Sequence, residues 1–343
     1  MTNRIGVAFA GAGGVVKSIH LPTLARLGGF DVIGFWDVNP AAARDAAAIL
    51  GGQVFDTFDD LLNDGSVDIL VVCTPAKFHA EHVVRGMRAG IRAVLCEKPL
   101  AATRDEARLI EEAAAETGVP LIVGTMHKFD PAWTALWGHV AEARGNALVR
   151  SSIVLPFNER FELWATEVGN RPAPGEPEGD LSQFLMHLGV MELAIHDLPL
   201  VRAFLTDNSS VKVTSASLVQ PFGYSIALKA GEQLVDLFAF VHPGWAPAWE
   251  LEAVSDSSAF HIVFPPSFLH AGSAVSTITA KDQSRVIGPM RQNGYEVEWE
   301  TIRDLVGGKT VSIPSVSEVV ADFNFALDIA QQSCALLAEA GRQ

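Results

Sequence analysis

Three groups of residues in this 343-residue chain have types and spacings suited to chemistry. Glu97-Lys98-Pro99 places an acid and a base directly after the apolar run 92–96, where a strand would end. A lysine held there can stabilise a substrate hydroxyl as its oxygen takes on negative charge. The bland reading is a solvated turn whose backbone Pro99 fixes. Glu192 and His196 are four residues apart, so on a helix they would share a face. A carboxylate beside an imidazole orients the ring and raises its pKa, and a reference value of about 6.5 suits the ring to accept a hydroxyl proton near neutrality. A satisfied helix histidine is the alternative. The third group is Gly11-Ala12-Gly13-Gly14-Val15. Gly11 and Gly13 permit a tight turn and a close backbone approach to a pyrophosphate, whose charge meets the amino terminus of the next helix. Val16 takes the place of the third glycine of the strict fingerprint, and the same glycines could serve a tight turn alone.

These groups need elements to hold them. Short apolar runs at 4–10, 30–36, 68–73, 92–96 and 120–123 read as strands, separated by helical spacings near 40–50, 59–63, 76–89 and 103–117. Strands alternating with helices argue for a doubly wound parallel sheet of the Rossmann type over residues 1–124, with ligands beyond the carboxyl ends of the strands. Asp37 stands at the end of the second strand. It can accept from both ribose hydroxyls of an adenosine and would repel a phosphate there, which favours NAD over NADP as the cofactor. Cys73-Thr74-Pro75 follows the third long strand, where Pro75 can either open the next helix or help to shape a cofactor loop. His79, near the first turn of that helix, either reaches the site or sits at the surface as a cap.

Past residue 124 the alternation stops, and 125–315 reads as an α+β domain for substrate binding and oligomerisation. Asp130-Pro131 is a helix start, a strand follows at 148–155, and the prolines and glycines of 156–180 argue for a long loop that acts as a lid or subunit contact. Residues 181–205 read as one long helix, with a kink at Pro199. Strand-like segments across 211–241, 249–254 and 260–264 suggest an open, mainly antiparallel sheet whose second face a second copy of the chain could cover, as a homodimer or homotetramer. Trp245, Trp249, Phe264 and Phe268 read as core or subunit contact rather than sugar-stacking groups. The last segment, 316–343, reads as a helix that packs back on the first domain.

Composition narrows the function. Hydrophobic residues make up 49% of the chain and the net charge is −15, with no basic cluster, which excludes nucleic acid as an expected partner. No long uncharged span and no leader pattern are recognisable, so no membrane partner is expected and the cytoplasm is the expected location. Cys73, Cys96 and Cys334 lie in apolar runs and read as buried free thiols. Zinc spacing, a phosphate-lysine loop and G-x-S-x-G are all missing, so metal-free chemistry is expected.

Taken together, the Gly11 turn, His20-Leu21-Pro22, Asp37, Cys73-Thr74-Pro75, Glu97-Lys98-Pro99, Phe129-Asp130-Pro131 and the later acid with His196 resemble the Gfo/Idh/MocA family of oxidoreductases. The resemblance implies an NAD(P)-dependent enzyme that oxidises a secondary hydroxyl of a sugar or cyclitol, or runs the reverse reduction. Lys98 matches the family lysine and His196 the family histidine, while Glu192 and Pro199 stand where Asp is usual. His127 and Lys128 fall at a junction that usually holds Asn or Tyr followed by Arg, which implies that they line the substrate cavity. On this reading Lys98, His196 and Glu192 are catalytic. Gly11, Gly13, Gly14, Val15, Asp37, Cys73, Thr74, Pro75, His79, Glu97 and Lys98 contact the cofactor. Two further readings come with the resemblance: a glycosidase that uses tightly held NAD for transient oxidation, and a non-catalytic dinucleotide or sugar sensor.

Overall fold

The apolar runs of the first 124 residues form the strands of one parallel sheet: β1 (Ile5–Ala10), β2 (Phe30–Trp36), β3 (Gln53–Val54), β4 (Ile69–Val72), β5 (Ala93–Cys96) and β6 (Leu121–Val123). Their order is β3-β2-β1-β4-β5-β6. The structure, a computed structural model, describes residues 4–140, 148–157, 180–207, 211–244, 247–266, 272–281 and 283–342. Strands β4, β5 and β6 are buried along their whole length, as a sheet covered by helices on both faces requires. The crossovers include α1 (Leu21–Leu27), α2 (Pro40–Leu50), α3 (Phe58–Leu62), α4 (His79–Arg88) and α5 (Arg104–Thr117). Their starts are written locally: Asn39 caps α2 ahead of Pro40, while Thr57 with Asp60 and Thr103 with Glu106 form reciprocal capping boxes. Strand order reverses between β1 and β4, and in such sheets ligands bind at the carboxyl side of that reversal.

The chain divides into two units. The first runs to Gly124 and also takes in Tyr295–Phe323, while the second is Thr125–Gly294 with the tail from Asn324. The sequence reading assigned no element to the helix Gly294–Val306, which supplies Trp299 to the core of the first unit. Trp299 is fully buried, with its ring edge-on to Phe30 at 5.3 Å and to His20 at 5.7 Å. In the second unit, Gln332 on the closing helix Val316–Ala340 accepts from the Val213 amide and donates to the Val211 carbonyl.

The second sheet has eight strands: β7 (Leu148–Pro156), β8 (Val211–Leu218), β9 (Phe222–Ala230), β10 (Gln233–His242), β11 (Ala248–Val254), β12 (Ser258–Phe264), β13 (Val275–Ala280) and β14 (Gln283–Ile287). The order is β14-β13-β12-β11-β7-β10-β9-β8, antiparallel throughout except where β7 lies parallel to β10. Period-two patterning sends one set of side chains to a core in which Phe204 meets Trp133 and Phe260 at ring separations of 5.8 and 5.5 Å. Trp133 comes from α6 (Pro131–Val140), whose start Asp130 ties by accepting from Ala132 N and, across the chain, from Ala274 N. On the opposite face Leu234, Val254 and Val263 remain exposed and Phe238 and Phe240 half-buried, interrupted by an Asp236–Arg150–Glu252 row of ion pairs.

The single helix expected over 181–205 is not formed. Leu181–Leu188 is an α-helix, Gly189–Leu193 widens into a π turn, Ala194–His196 tightens into a 3₁₀ turn, and a separate helix Leu198–Phe204 leaves at a bend of 67°. Packing causes the break. A β-carbon at Gly189 would stand 2.8 Å from the Tyr224 ring, and the Asp197 side chain is bonded to β7 and β11. Among the described residues no single helix is long and apolar enough to cross a membrane. The loop expected over 156–180 falls outside the described residues from 158 to 179, as do Trp245 and Phe268.

Candidate active-site residues in the two units

Gly11 must be glycine for two reasons. Its φ is +91°, and a β-carbon there would lie 2.6 Å from the Cys73 carbonyl oxygen, so the turn after β1 rests on the end of β4. Gly13 differs, because a β-carbon built on it meets nothing within 4 Å. That leaves open space beside the turn, with Gly14 and Val15 opening the helix whose first amides face outward from its amino terminus. Asp37 Oδ2 accepts from Ala12 N and Oδ1 from Asn39 N, both at 2.8 Å. Each oxygen keeps a second lone pair, so the carboxylate is fixed at the turn and can still accept two hydroxyls. Open space, helix amides and a placed carboxylate fit a dinucleotide.

His79 is neither a surface residue nor a helix cap. It is 1% exposed, with Nε2 at 2.6 Å from the Thr74 carbonyl oxygen and Nδ1 at 2.7 Å from that of Pro99. The ring therefore joins the loop after β4 to the loop after β5. Thr74 is held a second time, by its Oγ1 against His82 Nδ1 at 3.0 Å. Replacing His79 with alanine removes the ring that spans these two carbonyls, so urea unfolding should show a loss of about 1–3 kcal/mol, together with weaker dinucleotide binding.

Glu97 is buried at the end of β5, and its Oε2 accepts from the Lys98 amide at 3.1 Å. Its other oxygen meets His20 Nε2 at 3.0 Å, while Trp299 Nε1 lies 3.2 Å from His20 Nδ1. An indole N–H only donates, so Nδ1 accepts and the His20 proton sits on Nε2, directed at Glu97. Burial alone would raise the Glu97 carboxyl, but the hydrogen bond from His20 and then the charge and backbone amide of Lys98 hold it below the ordinary glutamate range. Glu298, on the helix Gly294–Val306, is the reverse case. It is fully buried, neither carboxyl oxygen has a hydrogen-bond partner among the described residues, and burial, then the charge of Glu97, pushes it well above the usual value. The surroundings thus push these two buried acids in opposite directions.

That contrast has a sign that can be measured. Because the folded chain raises the Glu298 carboxyl above its ordinary value, folded stability falls as pH rises above about 4.5. Glu298→Gln removes the ionisation, and its urea midpoint should exceed the wild-type midpoint at pH 7. The gap should close below about pH 4.

In the second unit the buried carboxylate is Asp197, which is 0% exposed. It accepts from Ser151 Oγ at 2.6 Å, Trp249 Nε1 at 2.8 Å and His127 Nδ1 at 2.7 Å. His127 is stacked on Phe264 at 3.8 Å with 11° between the planes, edge-on to Trp249 at 4.6 Å and 6.1 Å from the His196 ring. His196 is 8% exposed and lies 5.9 Å from the Trp249 ring. Glu192 is exposed, and its charge acts on His187; the π and 3₁₀ turns break the regular α-helical spacing on which its pairing with His196 was expected. Lys128 is half-buried beside His127. Of the three thiols only Cys96 is fully buried, with Cys73 and Cys334 half-buried, and burial pushes all three above the usual thiol range, which disfavours a thiolate nucleophile.

Comparison with known proteins matches residues 5–125 to the Gfo/Idh/MocA profile, an oxidoreductase family with an NAD-binding Rossmann fold. Residues 5–125 thus carry the Rossmann domain of this oxidoreductase family. Among curated Gfo/Idh/MocA relatives, the inositol 2-dehydrogenase of Paracoccus denitrificans is 32% identical over 213 residues, 61% of this chain and 56% of that protein. That of Klebsiella pneumoniae subsp. pneumoniae is 26% identical over 325 residues, 90% of this chain and 88% of that protein. The chain thus spans little more than half the length of the first curated relatives it matches. The fold is shared with a UDP-N-acetylglucosamine 3-dehydrogenase from Acidithiobacillus ferrooxidans, at a TM-score of 0.74 and 19% identity over 97% of this chain and 99% of that one. It is shared also with a 3-ketoreductase from Actinomadura kijaniata solved with NADP and TDP-benzene, at a TM-score of 0.71 and 17% identity over 96% and 98%.

The first unit, which holds the matched segment 5–125, gathers the Gly11 turn, Asp37, Cys73, Thr74, Pro75, Glu97 and Lys98 at the carboxyl ends of β1, β2, β4 and β5, with His79 bracing two of the loops. The second unit gathers His127 and His196. Sequence reasoning singled out none of Asp197, Glu298 and Trp299.

Proposed function

We propose that the chain is a nicotinamide-dinucleotide oxidoreductase that oxidises a secondary hydroxyl of a sugar or cyclitol, or reduces the matching ketone. The observation that carries this reading is Lys98, set immediately after β5 at the carboxyl edge of a parallel sheet whose glycine turn leaves room for a pyrophosphate. The relatives' named activities, on inositol and on nucleotide sugars, support the substrate class. When bound, the dinucleotide supplies the hydride acceptor or donor.

The residues would divide the work. The Gly11–Val15 turn and helix start hold the pyrophosphate, and Asp37 accepts the ribose hydroxyls. A phosphate on that ribose would meet the Asp37 carboxylate, so NAD is favoured over NADP. Thr74, Pro75 and the braced His79 shape the wall beside the nicotinamide. Lys98 donates to the reacting oxygen and stabilises its negative charge, with Glu97 holding the lysine loop in place. His196 takes the hydroxyl proton, and His127 and Lys128 contact the remaining hydroxyls. The half-apolar open face of the second sheet supports a homodimer or homotetramer, which sedimentation would report.

The test is absorbance at 340 nm with NAD or NADP and a panel of inositols, aldoses and nucleotide sugars. Turnover of one polyol with NAD, at least tenfold faster than with NADP, is the expected result. Binding of NAD with no turnover of any panel member would overturn the reading.

A further inference from the structure

His127 is held in a way that its neighbours' needs do not require. Asp197 is fully buried and accepts from three donors on three different elements, Ser151 of β7, Trp249 of β11 and His127. A carboxylate only accepts, so the proton between them belongs to Nδ1 of His127. The neutral ring then has its lone pair on Nε2. Stacking on Phe264 and the edge of Trp249 fix the plane of the ring. This is the arrangement of a base with an orienting carboxylate, in which the buried negative charge also stabilises the imidazolium that forms when the base takes a proton.

The titratable groups around the ring are few. Asp197 is bonded to it, the His196 ring is 6.1 Å away, and the charge of Asp130 interacts with it while that carboxyl is tied to Ala132 N and Ala274 N. The elements packed on either face, β11 and β12, present Trp249 and Phe264, which do not titrate in this range, and β7 presents Ser151.

We propose that His127 is the second station of a proton relay, accepting on Nε2 the proton that His196 has taken from the substrate hydroxyl and passing it to solvent. The relay deepens the oxidoreductase reading and rests on it. The transfer balances within the pair: the N–H bond on His196 breaks as the Nε2–H bond on His127 forms. His196 returns to its basic form, and Asp197 stays ionised beside the new imidazolium. Ring centroids 6.1 Å apart are too distant for a direct N–H···N bond, so the transfer runs through one intervening water.

The test uses His127→Gln in the full chain, since a glutamine amide still donates to Asp197 but offers no basic nitrogen. With the substrate found by the 340 nm panel, kcat should fall on the order of 10²-fold, dinucleotide affinity should stay within threefold, and added imidazole buffer should restore much of the rate. A kcat within threefold of wild type that does not respond to buffer would overturn the relay. A second measurement is independent of turnover. Nitrogen NMR of histidine-labelled wild-type protein should show the His127 signal, assigned by its loss in the variant, with Nδ1 protonated and Nε2 free. A protonated Nε2 with a bare Nδ1 would overturn the proposal. Failure of the parent reading looks different: no panel member would turn over in the wild-type protein, while the NMR result would stand as found.

Discussion

Lys98→Ala is expected to lower kcat by about 10²–10³-fold, the cost of removing one preorganised donor from a reacting oxygen. Dinucleotide affinity should stay within twofold, because the pyrophosphate turn, Asp37 and the His79 brace do not depend on the lysine side chain. Glu97 should also stay in place, since its carboxylate is held by the His20 ring and by the backbone amide of residue 98. The loss should therefore appear in kcat and kcat/KM together, the pattern of an interaction made in the transition state. Fluorescence titration of NAD beside steady-state rates at 340 nm separates the two effects. A variant that retained a tenth or more of the wild-type kcat would remove Lys98 from the chemistry and leave it a turn residue.

The largest expected effect on stability is that of Asp197→Ala. Its carboxylate satisfies a serine hydroxyl, an indole N–H and an imidazole N–H, all in a dry interior, and alanine would strand the three donors together. Leaving one buried donor unmade costs about 1–3 kcal/mol, and removing one member of a buried charged network about 3–5 kcal/mol, so a loss of about 3–5 kcal/mol is expected. The same cut frees the junction between the 3₁₀ turn and the helix Leu198–Phe204. A double cycle with Ser151→Ala should give a coupling above 0.5 kcal/mol, because the hydroxyl loses its value once its acceptor has gone. A loss under 1 kcal/mol for Asp197→Ala would mean that water replaces the carboxylate.

Much of the first unit was legible because a parallel sheet imposes a coarse rhythm, apolar strand then capped helix, that survives in short windows such as Ile69–Val72 and Arg104–Thr117. Lys98, Asp37 and the Gly11 turn could be found for the same reason: each follows a strand end that the rhythm marks. The stretch 181–205 was not legible in this way. Its apolar spacing suits a continuous helix, and what breaks that helix is tertiary, the Tyr224 ring against Gly189 and the inward pull on Asp197. Asp197 adjoins His196 in sequence, yet only the folded structure shows it bonded to the distant His127 imidazole. Trp299, Ile302 and Val306 do carry a helical period, but Glu296, Glu298, Glu300 and Asp304 are interleaved with them, and nothing local says which sheet they cover.

That returning segment sets the order in which the chain can be completed during synthesis. Residues to Gly124 leave the ribosome first, yet the core of their unit lacks Trp299, and His20 lacks the donor that fixes its proton, until some 170 further residues have been made. Domains generally fold as units in the order of their synthesis. Here the amino-terminal unit must wait, with Phe9 and Phe30 uncovered on the side that the indole will close, while the sheet encoded between its two pieces can already be complete. A nascent chain stalled just past Gly124 should therefore be far more sensitive to protease than one stalled beyond the helix Gly294–Val306.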